Sequence, residues 1–211
     1  MSKQASLYES LTPAMPTEMQ AMVAFGANLH FGNMGPAEVI LAAVAELAVA
    51  GLPVVALSKL YKTPCFPAGA GPDYVNAAAV VTLRSGMTAA DVLACLHQVE
   101  AKFGRQRDQR WGMRTLDVDL LAIGDAVLPD LATYLHWRDL DPALQRQAAP
   151  DQLILPHPRI ADRAFVLVPL ADVAPAWRHP VSGLTVAQML AAIPAQDRAE
   201  VVAIGGSAAS D

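Results

Sequence analysis

Apolar positions along the chain recur with two periods, and the order in which those periods appear predicts an architecture. Residues 22–27 form a short apolar run that reads as a strand entering a turn at Gly26-Ala27-Asn28. Pro36 stands where a helix opens, Val39, Ile40, Ala43, Val44 and Leu47 follow at helical spacing, and Gly51 closes the segment. Residues 54–61 read as a second strand, stopped by Pro64. Gly69, Gly71 and Pro72 mark a loop before a third strand over 74–83. Thr88 and Asp91 have the spacing of a capping box, and Val92, Leu96, Val99 and Phe103 make one apolar stripe of a helix that stops at Gly104. Beyond a polar, arginine-rich loop, residues 116–123 read as a fourth strand.

Strand, helix, strand, strand, helix, strand is the ferredoxin-like βαββαβ order. It predicts an α+β fold in which an antiparallel sheet carries both helices on one face. Helical segments over 163–170 and 185–193 predict cover for the other face, giving a three-layer α-β-α arrangement. Residues 131–151, with His136, Trp137, Arg138 and Asp139, match no clean period and read as a surface excursion with some helix. The expected organisation is a loose tail over 1–20, one domain over 21–196 with an insertion at 131–151, and a C-terminal tail over 197–211.

Composition narrows the function classes. With 211 residues and 54% hydrophobic positions, the chain has material for one real core, which excludes global disorder. A net charge of −5 argues against broad binding to nucleic acid or an anionic membrane, so any phosphate site must come from a local cluster of basic residues. The apolar stretch 36–57 is interrupted by Glu38, Glu46, Gly51 and Pro53, and so reads as helix, turn and strand rather than a membrane span. Cys65 and Cys95 have no partner motif and read as reduced thiols of a cytoplasmic protein.

The sharpest chemical signal is Arg114-Thr115-Leu116-Asp117-Val118-Asp119-Leu120-Leu121. In a strand Asp117 and Asp119 share one face, with Cα atoms roughly 6–7 Å apart. Two such carboxylates can converge on a pair of hard cations, which sit about 3.5–4 Å apart in two-metal sites, with substrate phosphates as the remaining ligands. Alone, Asp-x-Asp is a weak signal, since most such pairs are solvated strand ends. Here the later positions on that face, Leu121 and Ile123, are apolar, and a carboxylate pair beside a buried face needs a metal or a cation. Arg105, Arg107, Arg110 and Arg114 crowd the preceding loop and read alone either as a polyphosphate clamp or as a solvated basic loop; Trp111 among them suits a cover over a ligand and weakens the second reading. His97 and Glu100 share a helix face that reads either as solvated or as turned toward the metal site. Prolines flank His157 in Leu155-Pro156-His157-Pro158-Arg159, and Arg163-Ala164-Phe165 follows. Tyr74 and Asn76 share a strand face, where an aromatic ring can stack a heterocycle and an amide can read its edge, although the pair by itself reads first as an ordinary half-buried strand.

Taken in order, these pieces resemble the 6-hydroxymethyl-7,8-dihydropterin pyrophosphokinases of folate biosynthesis over 23–123 and 153–190. The most specific are Arg-Trp-Gly-x-Arg-Thr-Leu-Asp-x-Asp at 110–119 and Leu-Pro-His-Pro-Arg…Arg-x-Phe-Val at 155–166. The resemblance implies transfer of pyrophosphate from ATP to the pterin hydroxymethyl oxygen by a cytoplasmic monomer that binds neither nucleic acid nor membrane. It implies that Asp117 and Asp119 hold two Mg²⁺ ions on the ATP phosphates. Tyr74 and Phe165 are the expected aromatic pair around the pterin, whose edge is read by Asn76 and by backbone near Thr63, Pro64 and Phe66. Trp111 is the expected loop cover. Arg105 and Arg114 are the expected catalytic arginines, which also contact ATP together with His97, Glu100, His157 and Arg163. Ala27 stands where the family usually has Ser, His97 where it often has Gln, and Met113 where it often has Pro; the 131–151 segment is longer than usual. Two rival readings are a transferase that moves a single phosphoryl group to another alcohol, and a silent nucleotide- or pterin-binding module.

Overall fold

β1 (Gln20–Ala27) is buried on both sides: Ala21, Val23, Phe25 and Ala27 enter one apolar cluster, and Met22 and Ala24 enter another. Such a strand belongs at the centre of a sheet with layers on both faces. In the computed structural model, which describes residues 19–65, 69, 71–104, 115–141, 144 and 150–205, it does sit there. β1 pairs antiparallel with β4 (Tyr74–Thr82) on one edge and with β5 (Asp117–Ile123) on the other. β2 (Val54–Leu57) and β3 (Tyr61–Thr63) both pair with β4, and β6 (Val202–Ala203) extends the sheet beyond β3.

α1 (Pro36–Val49) and α2 (Ala89–Lys102) cover one face with Val39, Ile40, Ala43 and Leu47 and with Val92, Leu96 and Val99. The capping box expected at the start of α2 is present: Thr88 Oγ1 accepts the Asp91 N–H at 3.2 Å, and Asp91 Oδ2 accepts the Thr88 N–H at 2.9 Å. α4 (Ala164–Val173) and α5 (Val186–Ala192) cover the other face with Val166, Leu167, Leu170, Val186 and Met189. The ferredoxin-like, three-layer α+β arrangement expected from the periodicities is the observed one. Among the described residues no helix is long and apolar enough to cross a membrane.

Four local features differ from the sequence reading, each for a physical reason. The strand expected over 54–61 is two strands, because the Ser58 hydroxyl accepts the Ala78 N–H at 2.9 Å and lets the chain step sideways between them. Ile123 does not share a face with Asp117 and Asp119. Met22 pairs with Ala122 and Val23 with Leu120, so Leu121 is a bulge residue, and the extra residue turns Ile123 to the α1/α2 side. The 131–151 excursion contains α3 (Leu131–Asp139), capped by Asp130, and Tyr134 anchors it. That side chain is 1% exposed, and its hydroxyl lies 3.0 Å from His179 Nε2. Finally, residues 197–205 are no simple tail. α6 (Ala195–Ala199) leads into β6, where Ala203 pairs with Tyr61 and the Ile204 N–H donates to Leu60 O at 2.8 Å.

Candidate functional site

The sheet face under α4 is apolar along most of its length and polar at one end. Side chains alternate, so the face that takes Met22, Ala24, Ala78, Val80 and Leu121 also takes Gly26, Tyr74, Asn76, Asp117 and Asp119. Register then orders them. Gly26 lies opposite Asn76 on one side and opposite Asp117 on the other, and Ala24 likewise lies between Ala78 and Asp119. Asn76 and Asp117 are therefore two strand spacings apart, about 10 Å, across a position without a side chain. A methyl group on Gly26 would stand 3.4 Å from Asn76 Oδ1. The Gly26 carbon thus forms the floor between an amide and a carboxylate.

Asn76 and Thr63 are both buried, and Asn76 Nδ2 donates to Thr63 Oγ1 at 2.8 Å. The loop before Tyr74 is held from two sides, by Asn28 Nδ2 donating to Pro72 O at 3.3 Å and by Lys62 Nζ 3.0 Å from Asp73 Oδ2. Tyr74 is half-buried, and Pro64 is exposed just beyond β3.

β5 is the edge strand beside the carboxylates, and α2 holds its outer side. Glu100 is 1% exposed, and its Oε1 accepts the Val118 N–H, between the two aspartates, at 2.8 Å. It is a buried support of β5, where the sequence left its helix face either solvated or turned toward the metal site. The bulge at Leu121 leaves a carbonyl outside the ladder, and the His157 N–H takes it at 2.7 Å. Leu155 exchanges two further backbone bonds with Leu128, so the flanked histidine is pinned at the end of β5. His157 Nδ1 accepts the Arg159 N–H at 3.1 Å, which puts the ring proton on Nε2. Burial, and then the nearby Arg163 charge, push its pKa down to about 3. The imidazole is neutral at physiological pH, with its proton on Nε2.

Arg163, at the start of α4, joins the two halves of this face. Its Nη1 lies 3.9 Å from Asp119 Oδ2, and its guanidinium carbon lies 5.7 Å from the centroid of the Phe165 ring. Burial lowers its pKa, with Asp119 opposing. Phe165 is 42% exposed, an apolar ring open to a ligand. On the outer side of β5 a cavity of about 500 Å³ is lined by Leu93, His97, Asp119, Leu153, Ile154 and His157. A cavity of about 600 Å³ at the far end of the sheet, around Met22, Val55, Pro175 and Trp177, has no ionisable side chain among its described lining residues.

Among the described residues no three His, Cys, Asp or Glu side chains converge as a self-sufficient metal cage. Two carboxylates on one partly exposed strand face are the donor set that suits Mg²⁺ shared with substrate phosphates. Arg105, Arg107, Arg110, Trp111, Arg114 and Phe66 lie outside the described residues. The sequence reading missed the role of Gly26, taken there as a turn position. Its signal was a glycine inside a strand, which marks a close approach. It also missed the Thr63 side chain, for which a lone threonine at a strand end gives no signal.

The chain matches the model of the family described as 7,8-dihydro-6-hydroxymethylpterin-pyrophosphokinase over residues 22–175. It is 37% identical over 187 residues to the 2-amino-4-hydroxy-6-hydroxymethyldihydropteridine pyrophosphokinase of Synechocystis sp., covering 85% of this chain and 82% of that one. It is 39% identical over 142 residues to the protein of the same name from Pseudomonas aeruginosa, covering 67% and 73%. Among solved structures it resembles wild-type Plasmodium falciparum HPPK-DHPS with a TM-score of 0.57 at 14% identity, a likeness of fold. That match covers 85% of this chain but 45% of the Plasmodium chain, so this chain spans less than half of that protein.

Two expectations follow from the geometry. Gly26→Ala should fold and melt within about 1 kcal/mol of the wild type, since 3.4 Å is ordinary contact, yet lose most of its turnover because the methyl fills the floor between Asn76 and Asp117. Thermal melts beside initial rates check both halves. The second concerns pH. Between about pH 6.5 and pH 3 the unfolded chain binds a proton at His157 that the folded chain refuses, so stability is lost as pH falls through that window. Urea unfolding at pH 7 and pH 4.5 should show the wild type losing more stability than His157→Gln; equal losses would place the imidazole in a solvated setting.

Proposed function

The chain belongs to the 7,8-dihydro-6-hydroxymethylpterin-pyrophosphokinase family and transfers pyrophosphate from ATP to hydroxymethyldihydropterin in folate biosynthesis; from this premise we propose that the two substrates meet over Gly26. The observation that carries the proposal is the register that sets Asn76 and Asp117 on either side of that glycine. On the Asn76 side the pterin ring lies between Tyr74 and Phe165, with its polar edge toward Asn76, Thr63, Pro64 and Phe66 and with Trp111 as cover. On the Asp117 side lies the ATP, its nucleoside in the cavity beside His97 and His157 and its phosphates toward Arg163, Arg105 and Arg114.

Asp117 and Asp119 would hold the Mg²⁺, two ions in this reading, that the phosphates bring. When bound, the ions offset phosphate charge and make the β-phosphorus a better electrophile. The chain's own side chains then position and neutralise. Asn76 and the aromatic pair point the hydroxymethyl oxygen across the Gly26 gap. Glu100 keeps the strand segment between the aspartates from shifting. Neutral His157 donates from Nε2 without adding a titrating charge. Arg163 can leave Asp119 for a phosphate oxygen while remaining against Phe165. The oxygen of the pterin alcohol bonds to the β-phosphorus as the bond to the AMP oxygen breaks, AMP leaves and the alcohol proton passes to solvent, so catalysis rests on alignment and charge compensation.

The test is incubation with ATP, Mg²⁺ and 6-hydroxymethyl-7,8-dihydropterin, with products read by mass spectrometry. AMP and a pterin diphosphate are expected; ADP with a pterin monophosphate contradicts the transfer. Asp117→Ala and Asp119→Ala should each fold and lose turnover by about a hundredfold or more. Near-normal rates in both would remove the carboxylates from the metal site.

A further inference from the structure

A primary amide that reads a heterocycle has a weakness: its two ends have nearly the same shape, and a half-turn exchanges donor for acceptor. Something must hold the amide if the reading is to be selective. In this chain Asn76 is 5% exposed, and its Nδ2 donates to Thr63 Oγ1, 8% exposed, at 2.8 Å. The other end, Oδ1, is turned toward the open position above Gly26. Thr63 and Asn76 are diagonal neighbours on antiparallel strands, since Tyr61 pairs with Asn76 and Thr63 with Tyr74.

We propose that the Thr63 hydroxyl is a positioning group for substrate choice: it occupies Nδ2 of Asn76, so that Oδ1 is presented over Gly26 as an acceptor for an N–H on the edge of the bound heterocycle. The inference rests on the reading of Asn76 as the residue that meets the pterin, and it concerns the Thr63 side chain rather than its backbone.

The placement of Thr63 is itself secured. β3 is three residues long, too short to hold its own register, and two bonds from α4 fix its start. Asp172 Oδ2 accepts the Tyr61 hydroxyl at 2.7 Å and the Lys59 N–H at 3.1 Å. Burial and the Asp172 carboxylate hold the Tyr61 phenol up at about 12, so it remains a donor at any working pH. The line runs from α4 through Tyr61 to Thr63 and from there to Asn76. A ligand without an N–H at that edge meets an acceptor it cannot satisfy, and an unpaired buried acceptor is costly.

The experiment compares Thr63→Val, which keeps the shape and removes the hydroxyl, with Thr63→Ser, which keeps the hydroxyl. Titration calorimetry measures 6-hydroxymethyl-7,8-dihydropterin and a non-hydrolysable ATP analogue with Mg²⁺ separately, and steady-state kinetics follow. Thr63→Val should bind the pterin about tenfold more weakly, as expected for one lost orienting hydrogen bond. Its affinity for the ATP analogue should stay within about twofold of wild type, and Thr63→Ser should restore pterin binding. Unchanged pterin affinity in Thr63→Val, equal loss of ATP affinity, or no rescue by Ser overturns the inference. If Thr63→Val does not fold, Thr63→Ser and Thr63→Cys make the same comparison: Ser near wild type with Cys about tenfold weaker supports it, and equal affinities overturn it. Failure of the wild type to bind the pterin would instead overturn the underlying reading of the site.

Discussion

One backbone pairing register sets the amide and both carboxylates of the site on one face of the sheet. β1 is hydrogen-bonded on both edges, and Gly26 near its end faces Asn76 across one ladder and Asp117 across the other. Shifting either ladder by one residue would send the amide or the carboxylates to the opposite face, among the apolar side chains of α1 and α2. The register is secured because each face of β1 packs into its own apolar cluster, so a slip would move Val23 and Phe25 out of the cluster under α1 and α2 and Met22 out of the one under α4 and α5. The apolar core and the polar site are therefore specified by the same alternation of side chains.

Around that register the fold uses irregularities to hold polar parts. The bulge at Leu121 frees a carbonyl for the His157 N–H, which docks the Leu-Pro-His-Pro segment beside the aspartates. The buried Glu100 carboxylate takes the outward N–H of Val118, an edge donor that β5 would otherwise leave without a strand partner. The break at Ser58 lets β3 sit apart from β2 and bring Thr63 to Asn76. In each case a departure from regular structure satisfies a hydrogen-bonding group and sets a side chain that bears on substrate.

The helical stripes 39–47 and 92–103 and the strands 22–27 and 74–83 were legible in the sequence because their period is long enough to identify them. The shared face of Asp117 and Asp119 was legible for the same reason. The turn of Ile123 to the other face was not, since a one-residue bulge leaves no mark on a period of two. Glu100 sat at a spacing that suits an open helix face as well as a buried one, and only its bond to Val118 distinguishes the two. Tyr134 and His179 lie 45 positions apart in segments without clean period, so the anchor of the 131–151 excursion depends on a long-range contact that local patterns do not encode.

The central claim is spatial: pterin and metal-bound phosphate share the gap above Gly26. The direct measurement is electron–nuclear double resonance on a complex of the protein with Mn²⁺ in place of Mg²⁺, a non-hydrolysable ATP analogue and pterin labelled with ¹³C at the hydroxymethyl carbon. Because the gap is two strand spacings wide, about 10 Å from Asn76 to Asp117, a labelled carbon and a metal that both lie within it should be separated by no more than roughly 7 Å. A separation beyond about 10 Å would put the two ligands in different places and contradict the account.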